Sequence, residues 1–181
     1  MKNLKFSRLF AAALLVACFA FAGCKPQVEE VTKLVAVRPI EADDGIIGTW
    51  VESSTYGKSY YRISTTAFEN DGEDSTGTPY DSYAGDNIYV AETSETSCFI
   101  FIKYTKAIMP DWSYSTSAPD VGKWYALSFK NLDTLSTPNK VSISGAYTEG
   151  GKTSCATLKE AIAEFTEANG YFDSYSACAK Q

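Results

Sequence analysis

Five cysteines and no histidine are the most informative part of this chain's chemical inventory. Without imidazole there is no Ser-His-Asp or Cys-His nucleophilic site, and no zinc site that uses histidine. Histidine-dependent catalysis is excluded, and no Walker-type glycine loop, Gly-x-Ser-x-Gly elbow or Cys-x-x-Cys pair is present. Carboxylates are plentiful: Glu69-Asn-Asp-Gly-Glu-Asp74 places four of them within six residues. Such oxygen donors suit a hard cation such as calcium, but the glutamate that an EF-hand loop needs at its twelfth place is missing. The competing reading is a solvated charged turn. No spacing among the 22 acids selects a pair for glycoside hydrolysis. These residues point to no enzyme, no metal and no cofactor.

Cysteine chemistry begins near the start. Lys2, Lys5 and Arg8 precede an apolar run from Leu9 to Ala22, and the small Gly23 stands directly before Cys24. That is the layout of an export leader over residues 1–23. The run is shorter than the ~20 apolar residues that cross a bilayer, and Lys25 and Pro26 follow it at once. Phe21-Ala22-Gly23-Cys24 resembles the lipobox of bacterial lipoproteins, in which small residues admit the signal peptidase and the cysteine thiol receives a diacylglycerol. Ala22, Gly23 and Cys24 match it; Phe21 stands where Leu, Val or Ile is usual, a looseness found in spirochaete-type lipoboxes. The resemblance implies export and a membrane anchor made of lipid on Cys24, palmitate included, in the cell envelope at the outer membrane. Several chains are implied, because one acyl chain holds a protein only marginally. The alternative is an ordinary secreted protein.

Loss of residues 1–23 removes three basic residues and no acids, leaving 13 bases against 22 acids, a formal net of −9. Such a body is repelled by nucleic acid and by anionic headgroups, so no nucleic acid partner is expected and the anchor is covalent.

Residues 24–45 read as the lipidated N-terminus and a flexible tether, with two prolines, mixed charge and no period; Val31 to Val37 offers an edge strand as the alternative. From residue 46 to 181 the chain reads as one domain. Short runs rich in Tyr, Ile, Val, Phe and Thr predict strands over 46–54, 58–65, 83–92, 97–105, 123–131 and 139–148, with weaker ones at 66–70 and 171–177. Ile88 and Val90, Ile100 and Ile102, Tyr125, Leu127 and Phe129, and Val141 and Ile143 each share one strand face by period-2 alternation. Tyr56-Gly57, Asp71-Gly72, Pro138-Asn139 and Gly150-Gly151 supply turns. Many short strands with local turns indicate an antiparallel sandwich or closed barrel. Thr157-Leu-Lys-Glu160 is a capping box, and Leu158, Ala161, Ile162 and Phe165 recur at helical spacing until Asn169-Gly170, predicting one amphipathic helix outside the sheet.

Those elements place the other cysteines. Cys18 leaves with the leader, so Cys98, Cys155 and Cys178 remain, and an odd number leaves at least one thiol free or bonded to another chain. A helix from Thr157 to Asn169 spans about 20 Å, and an extended return to Cys178 about 26 Å. The return predicts a Cys155–Cys178 disulfide; three reduced thiols are the alternative. Cys98, alternating with Ile100 and Ile102, reads as a small core residue.

Ile46-Ile47-Gly48-Thr49-Trp50 resembles the Gly-x-Trp signature that opens the first barrel strand of lipocalins, with Gly48 and Trp50 matching and the tryptophan closing the barrel base. The order of strands, one helix and a final short strand is similar too. A Thr-Asp-Tyr turn and a late arginine over the tryptophan are not evident. More broadly, Gly48-Thr49-Trp50, Phe99 to Tyr104, Trp124 to Leu132, Thr157 to Ala161 and Phe165-Thr166 resemble spirochaete-type lipoproteins with lipocalin-like domains. The resemblance implies a mainly β fold, an antiparallel up-and-down barrel with one C-terminal helix packed outside.

The longest irregular stretch, Lys106 to Gly122, carries Met109, Trp112 and Tyr114 among Ser, Thr, Asp and Pro. Loops of this length are often lids or binding loops, and here they would contact a small apolar or amphipathic ligand at the barrel mouth. The alternatives are that these side chains cover the core end, or that loops on a filled barrel contact a host or envelope protein.

Overall fold

Alternating side chains make a two-faced ribbon of each apolar run, and a ribbon with one buried face must close or stack. A computed structural model describes residues 36–181. The strands are β1 (Val37–Pro39), β2 (Gly48–Ser54), β3 (Gly57–Ile63), β4 (Phe68–Asp74), β5 (Pro79–Ser94), β6 (Ser97–Ile108), β7 (Tyr114–Ser115), β8 (Trp124–Asp133), β9 (Lys140–Gly145) and β10 (Ser176–Lys180). The helix α1 (Leu158–Glu164) precedes β10. Neighbours pair antiparallel in the order β2-β3-β4-β5-β6-β8-β9-β10, and β10 returns to β2 with Lys180 opposite Trp50 and Cys178 opposite Glu52. The result is a closed eight-stranded up-and-down barrel of lipocalin-like form, as the strand pattern and the resemblance led us to expect. β1 lies beside β5, and β7 forms a hairpin with β6.

The connectivity defines two ends. At the base lie the start of β2 and the β3–β4, β5–β6 and β8–β9 connections; at the mouth lie the β2–β3 and β4–β5 turns, residues 109–123 and the segment 146–175. Trp50, Phe68, Ile100, Ile102, Leu127, Phe129 and Ile143 are all but fully buried, so the lower barrel is solid. Cys98 shares the face of Ile100 and Ile102 and is buried with them. The outer faces of β6 and β8 are buried as well. Phe172 meets Phe99 at 5.3 Å between ring centroids, the Ser128 hydroxyl lies 2.9 Å from that of Tyr175, and α1 packs on both strands.

Several expectations are corrected. β4 runs through the acidic stretch 69–74, where a turn at Asp71-Gly72 was expected. Its acids point outward, where Glu73 meets Lys58 at 2.7 Å and Asp71 meets Arg62, while Phe68 and Gly72 point in. The turn falls later, where Asp74 Oδ1 accepts from the amides of Thr76 (2.8 Å) and Thr78 (3.0 Å). The carboxylates are thereby dispersed along a strand instead of converging on a cation. The helix stops at Glu164, five residues early, because the Asn169 side-chain amide donates to the carbonyls of Ala163 (3.2 Å) and Glu164 (2.7 Å) and ends the ladder. Its capping box is present as expected. The closing strand is Ser176–Lys180, while Tyr171 and Phe172, expected inside a strand, are buried anchors leading into it.

The folded body also begins before residue 46. Val37–Pro39 pairs with Tyr89–Ala91, Arg38 forms a two-pronged pair with Asp44 (2.6 and 2.9 Å) and also binds Glu92, and Ile40 and Ile46 are buried. The tether assignment of residues 36–45 gives way to the edge-strand alternative.

Candidate functional site

The barrel interior changes character towards the mouth, where aliphatic residues give way to tyrosines. Tyr104 stacks on Tyr125 (5.1 Å, 20°), and Tyr83 stands edge-on to both, at 6.1 Å (88°) and 5.4 Å (77°). Phe68 stacks beneath Tyr83 at 5.5 Å. Gly145 makes this packing feasible: a Cβ there would lie 2.5 Å from the Tyr125 hydroxyl oxygen and 3.8 Å from that of Tyr83. Burial pushes all three phenols above their ordinary range, so they are neutral hydrogen-bonding groups and not phenolates.

Above this floor opens a cup of about 500 Å³. Its walls include Met109, Trp112 and Tyr114, the three residues expected to contact a ligand, together with Ile108, Pro110 and Tyr147. The volume lies within the range usual for small-molecule sites. Another hollow, of about 190 Å³, lies at the base around Asp44, Cys98 and Leu132 and is too small for that role. A third, of about 650 Å³ around Val51, Ser142, Ala177 and Ala179, lies against β2, β9 and β10 and away from the tyrosines.

The mouth loop is more ordered than its composition suggested. β6 continues to Ile108 and folds back into β7 through a tight turn, in which the Trp112 amide donates to Met109 O (2.9 Å) and the Met109 amide to Ser113 O (2.7 Å). Asp111 Oδ1 accepts from the Ser113 amide (3.1 Å) and hydroxyl (2.6 Å). Trp112 sits at the tip with φ +66°, a left-handed conformation that β-carbon residues seldom adopt, and its side chain is 82% exposed. The rest of the loop is fastened to the barrel by the Gly122 amide donating to Tyr104 O (2.8 Å).

Asp120 is the one carboxylate among the described lining residues. Its oxygens accept from Lys123 Nζ (2.9 Å) and the Thr153 hydroxyl (2.8 Å). Burial works to raise its titration point, but the hydrogen bonds from Lys123, Thr153 and Ser154 outweigh it and leave the group below the usual carboxylate range. Apolar contact, ring faces and phenol hydrogen bonds are thus what the cup offers a ligand.

No protein-family model, curated protein or solved structure matches this chain, so its function must be inferred from its own geometry.

The base signature is well placed. Trp50 is fully buried and donates from Nε1 to Ile46 O at 2.7 Å. Lys180 Nζ lies 5.3 Å from the Trp50 ring centroid, a cation over the ring where the lipocalin resemblance would put a late arginine. Gly48, with φ +135°, leaves room for it: a Cβ there would meet Lys180 Cε at 2.5 Å.

The cysteine expectation is corrected. Cys98, Cys155 and Cys178 are all free and buried. Cys155 bridges to Trp124 at the mouth end of β8, whereas Cys178 pairs with Val141 near the base end of β9. The chain leaving α1 spends Gly170 to Tyr175 crossing the outer face, so β10 carries Cys178 past Cys155 towards the other end. Burial raises the thiols of Cys98 and Cys178 to about 12 and that of Cys155 less, which makes them poor nucleophiles. Cys24 lies outside the described residues.

Sequence reasoning missed the floor. Tyr83, Tyr104 and Tyr125 lie on three different strands, and only their shared inward parity and nearness to the mouth turns linked them.

Proposed function

We propose that this chain is a non-catalytic binding protein, held on a membrane by lipid on Cys24, whose barrel mouth takes a small apolar or amphipathic ligand. The observation that supports it most is the 500 Å³ aromatic cup above an otherwise filled barrel. A large exposed indole on a strained turn at its edge contributes little to the core and is suited to contact with something outside the fold. The resemblance of residues 21–24 to a lipobox supports an exported lipoprotein of the spirochaete type, anchored in the cell envelope at the outer membrane.

The binding reading is tested by native mass spectrometry of the chain purified from its own host. A co-purifying small molecule that is lost on Trp112→Gly supports it, and a clean apo mass together with silence towards apolar fluorescent probes defeats it. The anchor is tested apart: Cys24→Ser should move the protein out of the detergent phase, and retention there refutes lipidation.

A second reading has its own support. The lower barrel is solid, and Trp112 and Tyr147 are 82% and 71% exposed at the mouth. A protein partner seated on this edge would bury both rings, and Tyr147→Ala would then weaken the complex as much as Trp112→Gly does.

A further inference from the structure

Charge in the cup is one-sided, and its meaning rests on the binding reading given under the proposed function. The described lining contains one carboxylate, Asp120, and no lysine or arginine. The lysines on neighbouring strand ends are already engaged: Lys106 with Asp81 at 3.5 Å and Lys123 with Asp120 at 2.9 Å, and neither lines the cup. The polar groups of the floor are phenols, and the rest of the wall is indole, phenol and aliphatic surface. Around it, the chain carries a formal net charge of −6, which raises the local concentration of cations and lowers that of anions.

An anionic head entering this site would lose its water and find no cation in exchange, the most expensive outcome for a buried charge. A bulky ammonium meets the opposite situation. It is weakly hydrated, so it sheds water readily, and aromatic faces attract it through their negative quadrupole, more strongly as water is excluded. The arrangement of Tyr83 edge-on to the Tyr104–Tyr125 stack, with Tyr114 and Trp112 on the wall, surrounds one volume with rings in several orientations. Asp120 adds a carboxylate on one side, its oxygens held by Lys123 and Thr153 so that its position is set.

We infer that the cup selects an organic cation: a small amphiphile with a quaternary or otherwise bulky ammonium head and an apolar body, in preference to a carboxylate-headed one.

The test uses the full chain in nanodiscs of zwitterionic lipid, with empty nanodiscs as the blank, and three probes of matched shape: benzyltrimethylammonium, its neutral isostere neopentylbenzene, and phenylacetate. Binding is read by isothermal titration and by quenching of tryptophan fluorescence. The expected order is ammonium, then neutral, then anion, with the ammonium at least about tenfold tighter than phenylacetate. Asp120→Asn, which retains hydrogen-bonding capacity towards Thr153, should narrow that ratio several-fold, with melting followed by circular dichroism to confirm folding. Phenylacetate binding as tightly as the ammonium overturns the charge selection while leaving the binding reading in place. Failure of all three probes, the neutral one included, removes both.

Discussion

Replacing Trp112 by glycine separates what the mouth does for the fold from what it does for a ligand. With φ +66°, a non-glycine residue costs about 1–2 kcal/mol, which glycine recovers. Against that gain stand two losses. Glycine brings about 0.5–1 kcal/mol of extra unfolded-state entropy. A tryptophan can bury up to roughly 250 Å², but this one is 82% exposed, so only about 45 Å² is hidden, near 1 kcal/mol at roughly 25 cal/mol per Å². The contributions nearly cancel. Stability should stay within about 1 kcal/mol of the parent, a Tm change of no more than ~4 °C for a domain of this size. Affinity behaves otherwise: an indole wall closed over a ligand is worth about 1–2 kcal/mol, so binding should weaken roughly tenfold or more. Circular dichroism melts beside titrations with an apolar probe decide the matter. A Tm lowered by more than about 8 °C, or an affinity that does not move, refutes the assignment of Trp112 to binding.

Other expectations concern the frame. Phe68→Ala, at the fully buried base of the tyrosine floor, should cost about 3–5 kcal/mol in urea unfolding, and a loss under about 1 kcal/mol contradicts the solid-barrel description. Hydrogen bonds from Arg38 hold Asp44 below its ordinary value, so this carboxylate's contribution is fully present above pH ~4 and disappears as pH falls through its depressed pKa. Urea midpoints from pH 6 to 2 should accordingly drop less steeply in Asp44→Asn than in the parent. Cys98, Cys155 and Cys178 should all be alkylated in denaturant without prior reduction and resist alkylation when folded; peptide mapping that finds Cys155 joined to Cys178 contradicts the register of β10 against β9.

Legibility in the sequence followed the strength of local patterns. Alternation at Ile100 and Ile102 and at Leu127 and Phe129 announced interior faces, and the capping box at Thr157 and Glu160 located α1 to the residue at its start. β4 was obscured because its outward positions are acids that read as a loop; only the partner strand reveals that Lys58 and Arg62 stand opposite to receive them. A Cys155–Cys178 pairing follows from segment lengths alone, and length does not say in which direction a returning segment runs. Lys180 stayed hidden because the lipocalin pattern has an arginine, although any long cation reaching Trp50 satisfies the same ring. Met109, Trp112 and Tyr114 were legible as mouth residues through loop length and aromatic content, whereas the floor beneath them required the barrel to be closed first.

That closure has a kinetic side. Lys180 pairs with Trp50 across about 130 residues of intervening chain, so the seam between β10 and β2 is among the most non-local contacts in the molecule. Loop-closure entropy opposes such a seam until the hairpins between have formed, which places it late in assembly. A polypeptide halted before Ser176 would hold seven strands as an open, curled sheet with β2 and β9 offering unpaired edges, the state most prone to join another copy edge to edge. In a chain exported as proposed, the N-terminal side emerges long before the strand that seals it, and for that interval the protein depends on whatever keeps those edges apart.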